Sequence, residues 1–287
     1  MVIAQLIGGL GNQLFQYAAA RRLAQYHQVP LKLDITGFET YKLHNYSLNH
    51  FNIVETFAQP DEIARYKKQG FIHRVRRRFF PYALQRHILE KSLSFQPAIL
   101  NLHPNVYLQG YWQSERYFID IAVIIRQEFM IKTPIDAINA QLSEQITATN
   151  AVSLHVRRGD YASNPVFQKV HGLTSLEYYA KAIQKIAAQV ENTHFFIFSD
   201  DPDWTRANLN FDVPLTFVTH NQADKNYEDL RLMSLCQHHI IANSSFSWWG
   251  AWLGGNPKKI ICYPAHWAND KNLNTSDIIP NGWQKIE

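Results

Sequence analysis

Sulfur is scarce in this chain of 287 residues, which carries only 2 cysteines and 3 methionines. Cys236 and Cys262 stand far apart in apolar segments, which excludes a disulfide framework and a zinc-binding spacing. Membrane-length hydrophobic runs are absent too: no stretch reaches the roughly 18 apolar residues needed to span a bilayer. The amino terminus, Met1-Val2-Ile3-Ala4-Gln5-Leu6-Ile7, shows neither a basic leader nor a small-residue cleavage site. The expectation is a cytoplasmic protein. Acidic residues are missing from Arg65 to Arg86, where Arg65, Lys67, Lys68, Arg74, Arg76, Arg77, Arg78 and Arg86 are interleaved with Phe71, Ile72, Phe79 and Phe80. Such a surface suits peripheral contact with the inner face of a cell membrane. A solvated helix face over core aromatics explains it as well.

What is present suits an enzyme. Hydrophobic residues make up 46% of the chain, enough for substantial cores, and its 7 Trp, 14 Tyr and 17 Phe can serve cores, sugars or nucleobases alike. A net charge of +4 favours a small anionic ligand without demanding nucleic acid. Apolar strands alternate with helical segments: a strand at Val2 to Ile7 and a helix at Asn12 to Tyr26, then a strand at Ala151 to Val156 followed by the same rhythm to Tyr263. This predicts an α/β protein with parallel sheets in two Rossmann-like domains, 1–150 and 151–287, with the polar span Thr133 to Asn150 as the border.

Chemistry concentrates at strand ends, where open α/β sheets hold their ligands. His155-Val156-Arg157-Arg158-Gly159-Asp160-Tyr161 places two guanidinium groups, an imidazole and a carboxylate at the end of an apolar run. Arginine grips phosphate oxygens through two parallel hydrogen bonds and keeps its charge, so a phosphate-bearing ligand is expected. Gly8-Gly9-Leu10-Gly11-Asn12-Gln13 links a strand to a helix, whose free amide groups favour an anion. It is not the dinucleotide fingerprint, because the third glycine would fall at Leu14. Asn243-Ser244-Ser245-Phe246 follows another strand and presents hydroxyl and amide donors, or simply caps a helix. Glu228 and Asp229 open the helix before that strand, and a carboxylate there either reads the N1–H and N2–H edge of guanine or complements the helix dipole. Asp201-Pro202-Asp203 has the form of a metal-binding D-x-D, but the arginines already offset a diphosphate charge. Trp248 and Trp249 read as core, while Tyr111-Trp112 reads as facing the ligand cleft.

These motifs carry a family resemblance. G-G-L-G-N-Q-L-F-Q-Y-A, H-V-R-R-G-D-Y and N-S-S-F-S-W-W-G-A-W-L, in that order, resemble the α-1,2-fucosyltransferases, inverting enzymes that use GDP-fucose. The resemblance implies two Rossmann-like domains facing across a cleft, the GT-B type, with no metal or other cofactor. By similarity, Arg157 contacts the donor diphosphate with Arg158 as its weaker partner, His155 lies beside the nucleotide, and Asp229 reads guanine. Ser244, Ser245 and Phe246 close around the phosphates and ribose, Asn243 beside them binds substrate, and Gly11 and Asn12 face the cleft near the reacting sugar or acceptor. The acceptor would be a β-galactoside-terminated oligosaccharide, lipid-linked or free, in a bacterial surface glycan. Asp160 is a candidate base, but an arginine neighbour keeps it ionised, which suits an ion-pair partner orienting Arg157 or Arg158 better. Glu177 and His171 stay open as bases. The alternatives are a related transferase with another GDP-sugar or linkage, a non-catalytic glycan-binding protein and a Rossmann dehydrogenase.

Overall fold

The computed structural model describes residues 1–41, 43–67, 81–270 and 272–287. The chain forms two compact units, Met1–Lys132 with Asn274–Pro280, and Thr133–Leu273 with Asn281–Glu287. Thr133 to Asn150, the expected border, lies in the second unit.

In the first unit, β1 (Val2–Gln5), α1 (Leu10–His27), β2 (Leu31–Asp34), α2 (Pro60–Tyr66), β3 (His87–Leu89), β4 (Val106–Gln109) and α3 (Ala122–Glu128) follow in order. All pairings are parallel and the strand order is β2-β1-β4-β3. The chain steps from β1 to β2 on one side and later returns to lay β4 on the other. The carboxyl ends of β1 and β4 therefore mark a switch point, the position at which such sheets open a crevice.

The second unit runs α4 (Ala137–Thr147), β5 (Asn150–Val156), α5 (Gly159–Ser163), α6 (Pro165–His171), α7 (Leu176–Ala187), β6 (Thr193–Ser199), α8 (Pro202–Asn208), β7 (Leu215–Val218), α9 (Asn226–Leu235), β8 (His238–Ile240), α10 (Ser245–Leu253), β9 (Ile261–Pro264) and β10 (Gln284–Ile286). Its sheet is parallel in the order β10-β9-β8-β5-β6-β7, with the switch point between β5 and β8. Both faces are covered, which is why the strands read as unbroken apolar runs. Phe195 and Ile197 pack with Tyr179, Ile183 and Ile186 of α7, whereas Phe196 and Phe198 join Leu142, Ile146, Leu232 and Met233 of α4 and α9 on the other face. Ser175 caps α7 by accepting from the Tyr178 amide (3.1 Å).

Trp248 and Trp249 are fully buried, as the sequence predicts. Trp112 corrects the reading of Tyr111-Trp112: it is 1% exposed and edge-on to Tyr117 (5.7 Å), while Tyr111 is 40% exposed. Both cysteines are buried and unpaired. Among the described residues, no helix is long and apolar enough to cross a membrane. Within the basic block, Arg65 pairs with Asp61 (2.9 Å) and Lys67 with the buried Asp34 (3.0 Å). Lys68, Arg74, Arg76, Arg77 and Arg78 lie outside the described residues.

Candidate active site

Strand register builds the centre of the second unit. Val156 of β5 pairs with Ser199 of β6, so the residues that follow each strand emerge side by side. Arg157 Nη1 lies 2.7 Å from Asp200 Oδ2, with its guanidinium over the Tyr161 ring (5.0 Å). Arg158 Nε lies 3.3 Å from Asp201 Oδ2, its guanidinium covers Trp204 (3.5 Å), and its backbone N–H donates to Asp200 Oδ1 (2.8 Å). Gly159 makes this approach possible, because a Cβ there would sit 2.5 Å from Asp200 Oδ2. Asp200 and Asp201 each pair with one of the two arginines, while the pairing expected of Asp160, which lies in α5, falls on a side chain outside the described residues. Asp201 also caps α8 through the Trp204 amide (3.3 Å), so D-x-D here contains a helix cap with an arginine partner.

His155 is buried at the end of β5, its ring 5.7 Å from that of Phe246. Its backbone carbonyl accepts from Tyr179 (3.1 Å), but Nδ1 is buried with no hydrogen-bond partner among the described residues. Burial lowers the imidazole to about 4, with the Asp200 charge opposing and the Arg157 charge assisting. At neutral pH it is an uncharged hydrogen-bonding group and a poor proton acceptor.

Across the switch point, Ser244 caps α10 by accepting from the Phe246 amide (3.3 Å), with Ser245 as the first helical residue. Asn243 is tied to the scaffold: its amide donates to the His171 carbonyl (2.9 Å) and the Trp267 carbonyl (3.4 Å), and its oxygen accepts from Thr174 (3.2 Å). The structure also separates the two acids of α9. Glu228 is buried against Arg231 (2.8 Å), which donates in turn to the Thr133 carbonyl (2.6 Å). Asp229 accepts from Asn221 (2.8 Å), and Asn221 is held by the buried Asn139, as is His220 (2.9 Å). Burial pushes the Asp229 carboxyl up to about 7, with the Asn221 hydrogen bond opposing and the Glu228 charge adding.

In the first unit, Gly9 caps α1 without a side-chain bond, and Gly11 is buried in the opening turn. The Gln13 side chain donates to the carbonyls of Gly8 and Asn45 (both 2.8 Å) and accepts from the Ser47 amide (2.9 Å). The His44 ring lies 3.5 Å from where a Gly9 side chain would begin. Asn12 accepts from Gln113 (2.8 Å), joining the glycine turn to the loop after β4 across the switch point.

Residues 1–287 match the model of glycosyl transferase family 11. The chain belongs to that family. It is 37% identical to an α-1,2-colitosyltransferase of Escherichia coli, covering 100% of this chain and 99% of that one. It is 34% identical to the O-antigen biosynthesis glycosyltransferase WbnK of the same species, over 95% and 97%. Among solved structures it resembles the α-1,6-fucosyltransferase NodZ of Bradyrhizobium, with a TM-score of 0.55 at 17% identity over 91% of this chain and 94% of that one. That likeness bears on the fold, an α/β protein of GT-B type with parallel sheets. The resemblance seen in three motifs therefore extends along the whole chain, and the protein is a glycosyltransferase.

The cluster also holds residues for which the motifs implied no partner, Asp200 among them, which the sequence places only at a strand end. Asp200 touches both arginines, and Asn221 with Asn139 holds Asp229. The signal for Asp200 was its place after an apolar strand. None existed for Asn139, which sits early in α4, far from Asn221 in sequence.

Proposed function

We propose that this family member is an inverting, metal-independent glycosyltransferase that moves L-fucose from GDP-β-L-fucose to O2 of a terminal galactose in a bacterial surface glycan. The observation that carries the reading is the pair Arg157 and Arg158 at the switch point, beside the unsatisfied Nδ1 of the neutral His155. A buried nitrogen without a partner costs about 1–3 kcal/mol, and a donor hydroxyl could relieve that cost. A single in-line displacement of the β-linked sugar by an acceptor hydroxyl gives an α-linkage through an oxocarbenium-like transition state. Negative charge then gathers on the departing diphosphate. Arg157, Arg158 and the amides at the start of α10 stabilise that charge more in the transition state than in the ground state, as catalysis requires. Ser245 and Phe246 are assigned to the phosphate and ribose, Asp229 to guanine, and Gly11 and Asn12 to the acceptor side. Asn243 and Ser244 act through the backbone they hold. Cytoplasmic location, and docking to a membrane bearing a lipid-linked acceptor, belong to the same reading.

A second donor is favoured by the similarity to a colitosyltransferase. Colitose is L-fucose without its 3-hydroxyl, so the two donors differ at one polar group. Mass-spectrometric assay of GDP-fucose with lactose and other β-galactosides tests the main reading, with full turnover expected in excess EDTA. Loss of activity restored by Mn²⁺ or Mg²⁺ would overturn the metal-free assignment.

The guanine role of Asp229 predicts a pH dependence. Only the ionised carboxylate accepts both guanine hydrogens, and Asp229 is neutral below about 7. GDP binding should weaken by up to about tenfold for each pH unit below that value and level off above it. Calorimetric titration of GDP across this range measures the slope. Asp229→Asn should flatten it, and a flat profile in the unaltered protein would remove Asp229 from the base site.

A further inference from the structure

In the first unit the edge strand β3 ends beside β4 and delivers a carboxylate to the loop that follows β4. Glu90 directly follows β3, and its side chain accepts from two successive amides of the loop after β4, Tyr111 N (2.6 Å) and Trp112 N (3.0 Å). Successive amides converging on one anion form a preorganised cradle. The cradle demands an unusual backbone: Trp112 has φ 57°, a left-handed conformation that non-glycine residues rarely adopt. It also demands Gly110, since a Cβ there would collide with the Glu90 side chain. On its other flank the loop is fastened by the Gln113–Asn12 hydrogen bond. With Trp112 locked into the core, the neighbouring Tyr111 ring is turned outward and left 40% exposed.

We propose that Tyr111 and Glu90 form a sugar-binding subsite for the acceptor, the ring covering the apolar face of a hexopyranose and the carboxylate accepting hydrogen bonds from adjacent hydroxyls. Each carboxylate oxygen has two lone pairs and is engaged here by one amide, so both can accept from hydroxyls of the same ring. Among the described residues these two amides are its hydrogen-bond donors, and burial raises the Glu90 carboxyl above its ordinary value although they oppose the shift. Additional donors from a ligand would stabilise its charged form. A rigid, outward aromatic supplies contact area at low entropic cost. The inference rests on the proposed function for the choice of a β-galactoside as occupant.

Saturation-transfer NMR with lactose, in the absence of any nucleotide, tests the subsite directly. The unaltered protein should transfer magnetisation to the galactose ring, Tyr111→Ala should weaken lactose binding by about tenfold, and Tyr111→Phe should restore it, whereas GDP binding by calorimetry stays unchanged in both. In a transfer assay the same Tyr111→Ala change should raise the acceptor KM and leave the donor KM alone. Glu90→Gln, which keeps the size of the side chain and removes its charge, should weaken lactose binding as well. Lactose binding that is absent from the unaltered protein, or indifferent to Tyr111→Ala, overturns the subsite. Tyr111-dependent lactose binding without turnover of GDP-fucose overturns the donor reading and leaves the subsite standing.

Discussion

Under the proposed function, replacing Arg157 with alanine should lower kcat for glycosyl transfer by about 10²–10³, the usual consequence of removing one donor aimed at developing negative charge. The loss should fall on kcat and kcat/KM together, because the charge on the diphosphate is greatest in the transition state. The fold should survive: the Arg157 side chain is 22% exposed, and Asp200 keeps its bond from the Arg158 amide. Arg157→Lys should recover only part of the rate, since an ammonium retains the charge and loses the planar fork. Rapid-quench assay of single turnovers, with circular dichroism as the control for folding, separates these effects. An Arg157→Ala enzyme with ordinary kcat would remove the residue from the leaving-group site.

Replacing Arg231 with alanine should destabilise the second unit by about 3–5 kcal/mol, the range found when one partner of a buried ion pair is deleted. Glu228 is almost wholly buried, and Arg231 contacts both of its oxygens, at 2.8 and 3.3 Å, while also bonding the Thr133 carbonyl. Without the guanidinium, a charged carboxylate stays in the protein interior unpaired. Changing both residues to apolar ones of similar size should cost less than Arg231→Ala alone, because no charge is then stranded. Urea titration followed by tryptophan fluorescence suits the test. Six of the 7 tryptophans, Trp204, Trp248, Trp249, Trp252, Trp267 and Trp283, belong to the second unit. An unchanged midpoint in the Arg231→Ala protein would show that the pair carries no stability.

These two arginines illustrate different degrees of legibility. Arg157 was readable because everything that marks it is local: an apolar run, then charge, then glycine. Arg231 was not, because its importance lies in the burial of Glu228, and burial depends on what packs over α9. Residue chemistry left Glu228 and Asp229 equivalent as adjacent helix-start acids, and the family resemblance alone singled out Asp229. The structure distinguishes them, neutralising one with Arg231 and leaving the other beside Asn221. The serine motif was legible as a strand-to-helix junction, yet only the structure shows Asn243 fastening the His171 and Trp267 carbonyls. Tyr111 and Trp112 were read as a pair, and one dihedral angle parted them. Glu90 left no local mark, since β3 spans only His87–Leu89, too short for a periodic signal.

From the sequence by itself followed the alternation of strands and helices, the parallel sheets, the family, and the strand ends at which charge and small residues gather. Those features are encoded within short windows, through side-chain periodicity and the chemistry of turns. Tertiary structure alone decided which strand ends are neighbours, and with that the pairing of Arg157 with Asp200, the release of Asp229 from Glu228's fate, and the cradle that turns Tyr111 outward. Strand order and register arise from burying both faces of a sheet at once. That condition is met by the whole unit, and no short segment records it.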